Sequence, residues 1–159
     1  MLSHVDALDG LAFERFLRDL FVRLGYEAEL TDRYDLGADI VLVRDGKRTA
    51  VQAKRVSRWA GIEAVRAVVG SLRFYNCASA MVVTNKWLSK PARELADANE
   101  VELWDRRRLE QEILSFCNRC EARVSDRVRE WCGENQERFG GRVYCIDHQQ
   151  EADQLLRSA

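Results

Sequence analysis

Apolar side chains between residues 10 and 24 fall at Phe13, Phe16, Leu17, Leu20, Phe21 and Leu24, the spacing that lays one stripe of an α-helix against a core. Asp9 stands before this run as N-cap, Leu8 and Phe13 make a hydrophobic staple across the cap, and Gly25 ends the helix. The period then shortens. Tyr26–Thr31, Asp39–Val43 and Thr49–Lys54 read as strands, and the last two flank Asp45-Gly46, a dipeptide suited to a two-residue hairpin turn. Helical spacing returns within residues 61–74 at Ile62, Val65, Val68, Val69 and Leu72. Ala78–Thr84 is a buried strand, Ser89–Asn99 a helix with Pro91 in its first turn, Val101–Trp104 a last strand and Leu109–Phe116 a last helix. The order predicts an α/β fold: a mixed sheet between helical layers, opened by an antiparallel hairpin and continued by a βαβ unit.

The hairpin turn sets a register. With Asp45-Gly46 at its tip, Arg44 pairs with Lys47, and counting outward puts Asp39 across from Gln52 on one face. Lys54 shares that face, opposite Gly37. The stretch AVQAKRV (50–56) otherwise reads as interior strand, where an amide and an ammonium are rarely placed without partners. Two readings fit this patch. It is a solvated or structural ion pair, or it is a site in which oxygens of Asp39 and Gln52 hold Mg²⁺ while Lys54 acts on a water or on the charge of an attacked phosphate. Glu14 falls about 20° beyond Phe21 on the helical wheel, at the edge of the apolar stripe, as a carboxylate against the sheet margin or as a plain helix-edge acid. Arg55, Arg58 and Trp59 follow Lys54 as a basic-aromatic cluster, suited to phosphate contact and base stacking and equally to an exposed loop. Arg106–Arg108 reads as a solvated helix start, and Cys77 as a small core residue.

Charge narrows the functional classes. The net charge is −1, with 18 basic and 18 acidic side chains in residues 1–116 and 7 and 8 in residues 117–159. That balance argues against tight, passive, non-specific DNA binding without excluding an enzyme that acts on DNA. No apolar run approaches the roughly 20 residues of a membrane span, and MLSHVDALDG has neither a basic n-region nor an apolar h-region. The expectation is a cytoplasmic protein without a membrane partner. Four of the five cysteines lie in the last 43 residues, which in such a compartment favours metal ligation over disulfides. CNRC (117–120) and CIDH (145–148) are separated by 24 residues, and Cys117, Cys120, Cys145 and His148 make a Cys₃His set that closes a tetrahedral structural Zn²⁺ site. Residues 124–139 read as one helix across the gap. Cys132, mid-helix beside Trp131, reads as a core thiol, with ligation in place of one of the four as the alternative. The cysteines set the division into residues 1–116 and a zinc-binding module, residues 117–159.

LDGLAFERFLRDLFVRLGYEAELT (8–31), DLGADIVL (35–42), AVQAKR (50–55) and MVVTN (81–85), in this order and spacing, resemble the Mrr-type restriction endonucleases of the PD-(D/E)xK nuclease superfamily, over about residues 7–113. The tail resembles a small zinc ribbon. The first resemblance implies a restriction-endonuclease-like α/β/α sandwich in which Asp39 is a metal-binding aspartate and Gln52 and Lys54 form a QxK element, glutamine replacing the superfamily's glutamate. It further implies Glu14 as the acid of the first helix and the carbonyl of Ala53 as a metal ligand. The implied activity is Mg²⁺- (or Mn²⁺-) dependent hydrolysis of DNA phosphodiesters, in restriction or defence against foreign or modified DNA, with DNA as partner and a homodimer as an option. A neutral Gln52 removes one negative charge from the metal site, so binding of the ion is expected to be weak until phosphate arrives. The rival readings are a structure-specific nuclease of the Holliday-junction kind and a non-catalytic DNA- or protein-binding module on the same fold.

Overall fold

The changes of period become changes of element in the computed structural model, which describes residues 3–31 and 36–157. Asp35, the first residue of the DLGADIVL stretch, lies outside the described residues. A short helix, α1 (Ser3–Ala7), precedes α2 (Gly10–Arg23), whose first turn is capped by Asp9 accepting the Ala12 N–H at 2.7 Å. Phe13, Leu17, Leu20 and Phe21 form the buried stripe of α2, each contributing roughly 1.5–3 kcal/mol by leaving water. Strands β1 (Glu27–Leu30), β2 (Ile40–Arg44) and β3 (Lys47–Lys54) run antiparallel. Asp45 and Gly46 both take positive φ, 50° and 73°, which sets the tight primed turn of a two-residue hairpin. Arg44 faces Lys47 and Ile40 faces Val51, as the register predicts.

Beyond the hairpin come β4 (Trp59–Ala60), α3 (Ile62–Ser71), β5 (Ser79–Thr84), β6 (Trp87–Leu88), α4 (Lys90–Ala98) and β7 (Glu102–Trp104). The main sheet has the order β1-β2-β3-β5-β7, with β3, β5 and β7 parallel, and β4 pairs with β6 in a separate parallel ladder. Ala50, Ala80 and Val82 face one way and pack against Ala64, Val65 and Val68 of α3 and Ala92 and Ala96 of α4. Residues of the opposite parity face α2, where Phe21 lies 5.0 Å from the ring of Trp104 on β7. The result is the mixed α/β sandwich that the sequence predicts.

The last helix of this region, α5 (Arg106–Ile113), starts three residues earlier than its apolar pattern suggests, because Asp105 caps it by accepting the N–H groups of Arg107 and Arg108. Arg106 is not solvated. Its Nη1 meets both Asp6 carboxylate oxygens at 2.9 and 3.0 Å and the Asn85 carbonyl at 3.0 Å. Lys86 Nζ (2.8 Å) and Asn85 Nδ2 (2.8 Å) also donate to Asp6. Partial burial works against the Asp6 carboxylate, but these donors outweigh it and bring its pKa from 3.8 to about 2.

The chain divides into two compact units, Leu2–Leu109 and Glu110–Ala159. The second contains α6 (Asp126–Glu134), α7 (Gln136–Phe139) and α8 (Ile146–Arg157). The single helix expected over residues 124–139 is thus two, and α8 was not foreseen. Asn135 makes the break: its Nδ2 donates to the Trp131 carbonyl at 2.8 Å and competes with the helical ladder. Cys132, Phe139, Val143, Tyr144 and Ala152 supply most of the small core of this unit. Among the described residues no helix is long and apolar enough to cross a membrane.

Candidate active site and candidate metal centre

Asp39 lies one residue before β2, where its backbone is held on both sides. Its N–H donates to the Val51 carbonyl at 2.8 Å, and its own carbonyl accepts from the Thr31 N–H at 3.0 Å. The carboxylate is aimed at β3: Oδ2 accepts the Ala53 N–H at 2.6 Å and the side-chain amide of Gln52. The juxtaposition of Asp39 and Gln52 expected from the hairpin register is therefore a direct hydrogen bond. Gly37 lies beyond the end of that ladder, and its lack of a side chain answers to α3, not to Lys54. A Cβ there would stand 2.3 Å from the Ala67 carbonyl oxygen, and φ is +91°.

Gln52 is 1% exposed, and its Nε2 also lies 3.4 Å from the carbonyl oxygen of Ala53. Among the described residues its Oε1 has no hydrogen-bond partner. A buried acceptor left so costs about 1–3 kcal/mol. Asn85, equally buried, shows the contrast: Oδ1 accepts the Val56 N–H at 2.8 Å and Nδ2 donates to Asp6. A carboxylate, an amide oxygen in want of a partner and a backbone carbonyl are hard oxygen donors, a set that suits Mg²⁺ or Mn²⁺ better than a soft metal.

Lys54 ends β3 on the face of Gln52, half-buried and in register with Thr84 of β5. Glu14 is half-buried on α2. Arg55 is partly spent on structure, since its Nη2 donates to the Asp6 carbonyl at 2.7 Å. Arg58 and Trp59 are exposed. Thr31 and Asn85, which position the backbone at Asp39 and beyond Lys54, carry no signal in the sequence pattern. Their roles depend on which strand ends lie side by side.

The second cluster is of another kind. Single ligand atoms of Cys117, Cys120, Cys145 and His148 all lie within 4.8 Å of one another. Cys120 and Cys145 sulfurs are 3.8 Å apart, and His148 Nδ1 is 3.1 Å from the Cys145 sulfur and 3.8 Å from that of Cys117. A tetrahedral Zn²⁺ sets its ligand atoms about 3.5–3.8 Å apart. Burial alone would raise the Cys117 thiol, but hydrogen bonds from backbone groups of Cys145, Cys120 and Arg119 bring it down to about 6. Burial, with the neighbouring sulfurs of Cys117 and Cys120, pushes Cys145 up to about 11. The opposite directions are what sulfurs packed side by side show when one charge disfavours the next. Cys132 is turned elsewhere, with its sulfur 3.6 Å from the Tyr144 carbonyl, in keeping with a core thiol.

A family model described as a restriction endonuclease, the Mrr catalytic domain, matches residues 5–113. Among solved structures the chain is similar to AF1548, a protein of unknown function, at 14% identity over 91% of each chain with a TM-score of 0.54. It is similar to AspBHI, a DNA modification-dependent restriction endonuclease, at 13% identity over 92% of this chain and 34% of that one, TM-score 0.52. The MspJI restriction endonuclease, solved with a 27-mer oligonucleotide, matches at 18% identity over 92% of this chain and 31% of its own, TM-score 0.50. At such identities the likeness is one of fold, and the chain spans about a third of the length of AspBHI and MspJI. No curated protein matches the chain significantly.

Proposed function

The chain belongs to the Mrr-type restriction-endonuclease family, and from that premise we propose that it is a Mg²⁺-dependent endodeoxyribonuclease of QxK type that cuts foreign or modified DNA in the cytoplasm. The observation that carries this reading is the buried, unpartnered Oε1 of Gln52 beside the Asp39 carboxylate. Asp39, Gln52 Oε1 and the Ala53 carbonyl would hold the ion, with Glu14 as a further acid and Mn²⁺ as a substitute. When bound, the ion supplies positive charge against the phosphate and lowers the pKa of a water. Lys54 orients the attacking water and opposes the negative charge that grows on the phosphate oxygens as the P–O bond breaks. Arg55, Arg58 and Trp59 contact the DNA. The backbone bonds at both sides of Asp39 hold its carboxylate in place before the ion arrives.

The module of residues 117–159 would hold structural Zn²⁺ through Cys117, Cys120, Cys145 and His148. The name carried by AspBHI supports modified DNA as the target. A homodimer would place two such sites on the two strands. The test is nicking of methylated and unmethylated supercoiled plasmid, and of a four-way junction, with Mg²⁺ or Mn²⁺. Cleavage of methylated plasmid by the wild type and none by Lys54→Ala is expected. Equal cleavage by the two proteins would remove Lys54 from the site, and absence of cleavage on every substrate would leave a binding module.

A further inference from the structure

The chain has four tryptophans, and two of them are accounted for by packing. Trp104 lies against Phe21 and under the Arg108 guanidinium, and Trp131 lies against Phe139 and under Arg138. Trp59 and Trp87 are 59% and 40% exposed, and neither has a ring or cation partner among the described residues. They are register partners in the two-stranded parallel ladder, so their side chains leave it on the same face, while Ala60 and Leu88 pack into the core on the other.

This ladder continues from the candidate active site. Lys54 is in register with Thr84, the Val56 N–H donates to Asn85 Oδ1, and Trp59 then faces Trp87. Trp59 stands five positions after Lys54, which limits their Cα atoms to about 18 Å. That is about five steps of a duplex at 3.4 Å each. Residues 54–60 and 84–90 contain Lys54, Arg55, Arg58, Lys86 and Lys90 and no acidic residue. Lys86 is engaged by Asp6, so the exposed cations along this stretch include Arg58, next to Trp59 in the chain, and Lys90, in a surface pair with Glu94 at 3.6 Å. Two flat aromatic surfaces with a guanidinium beside them fit the base-stacking platforms of proteins that bind unpaired nucleic acid, whereas stacked bases of a continuous duplex offer no free face to an indole.

We propose that Trp59 and Trp87 form a stacking shelf for unpaired nucleobases, so that the substrate of the adjacent site is DNA locally opened beside the cleaved phosphate: a bubble, a mismatch or an extruded base. The placement of the cut rests on the nuclease reading, but the shelf itself is tested by binding alone. The experiment uses the whole 159-residue chain, catalytically silenced by Lys54→Ala, and compares a matched duplex with the same duplex carrying a bubble of about five bases, by fluorescence anisotropy. The bubble is expected to bind more tightly and to quench indole emission. Trp87→Ala or Trp59→Ala should remove about ten- to a hundred-fold of that preference, and Trp87→Phe, which keeps an aromatic face, should recover most of it. The proposal is overturned by an unchanged bubble-to-duplex ratio in the alanine variants. It is overturned equally if sedimentation shows a dimer that Trp87→Ala dissociates, since a second copy would then cover the shelf. A bubble preference that the alanine variants lose, beside a wild type that cuts no DNA, would sink the nuclease reading alone. Plasmid cleavage by the wild type with a bubble-to-duplex ratio near one would sink the shelf alone.

Discussion

Asp39 and Gln52 sit in a unit whose sheet is covered by helices on both faces, with α2 on one side and α3 and α4 on the other. Cys117, Cys120, Cys145 and His148 sit in a unit whose core is a handful of side chains around Cys132 and Phe139. The oxygen-lined site is held by the fold, through backbone bonds at Asp39, and has one polar atom left over for a ligand. The thiol-lined site is proposed to stand the other way round, since a core so small would gain its stability from a bound ion. On the proposed reading an ion in the first unit would serve chemistry, and an ion in the second would serve structure.

Chelation is the hardest test of that contrast. Removing Zn²⁺, or Cys117→Ser, should melt the helices of Glu110–Ala159, since a structural zinc contributes on the order of 10 kcal/mol to folding. Circular dichroism should show helix loss and elemental analysis the loss of about one zinc per chain, while the first unit keeps its unfolding transition. Identical melting with and without chelator would erase the distinction. Next in size, Lys54→Ala should slow plasmid cleavage by about 10²–10⁴-fold with an unchanged melting temperature, because no ion pair of the described residues depends on Lys54. A loss of stability as large as the loss of rate would make it a structural residue.

A smaller effect is expected at Asp6, a purely structural hub within the first unit. Asp6→Asn should cost about 1–2 kcal/mol at neutral pH, the bonds being partly solvent-screened. The folded pKa, about 2, lies below the ordinary 3.8, so the contribution is full above about pH 4 and fades as pH falls through 2. Denaturant titrations of both proteins should give a constant gap from pH 8 to pH 4 and a closing one below. A gap that widens on acidification would contradict the assignment. The smallest change sharpens the comparison from the other side. Gln52→Glu should tighten Mg²⁺ binding several-fold in the absence of DNA, and lower the stability of the ion-free protein by setting two carboxylates face to face. Calorimetry showing equal affinity for both proteins would argue that Gln52 Oε1 does not face the ion.

The parts of the fold that were legible from sequence are those set by local periodicity. The α2 stripe, the Asp45-Gly46 turn and the register it dictates needed only neighbours within about a dozen residues, and that register brought Asp39 to Gln52. The two ligand pairs, Cys117 with Cys120 and Cys145 with His148, were legible because ligand spacing is itself local. What was hidden depends on chain segments meeting from afar. Trp59–Ala60 and Trp87–Leu88 are too short to show a period, Asn135 looks like an ordinary helix residue until its amide turns back on Trp131, and Arg106 reads as one more solvated arginine until Asp6 is beside it. Gly37 was legible as a glycine but not for its reason, since nothing near it in sequence announces the Ala67 carbonyl.

Asp6 joins residues 79, 80 and 100 positions away along the chain. Loops of that length close late, since their entropy is lost before any contact rewards it. The contacts that hold α1 are therefore completed only when residues as far on as Arg106 have joined Arg55, Asn85 and Lys86 around Asp6. The same contacts make it an early point of opening: amide protons of α1 should exchange ahead of those in the central strands, in a local event that leaves the sheet intact. Helix α1 thus works as a closing latch on the first unit, set by partners far along the chain.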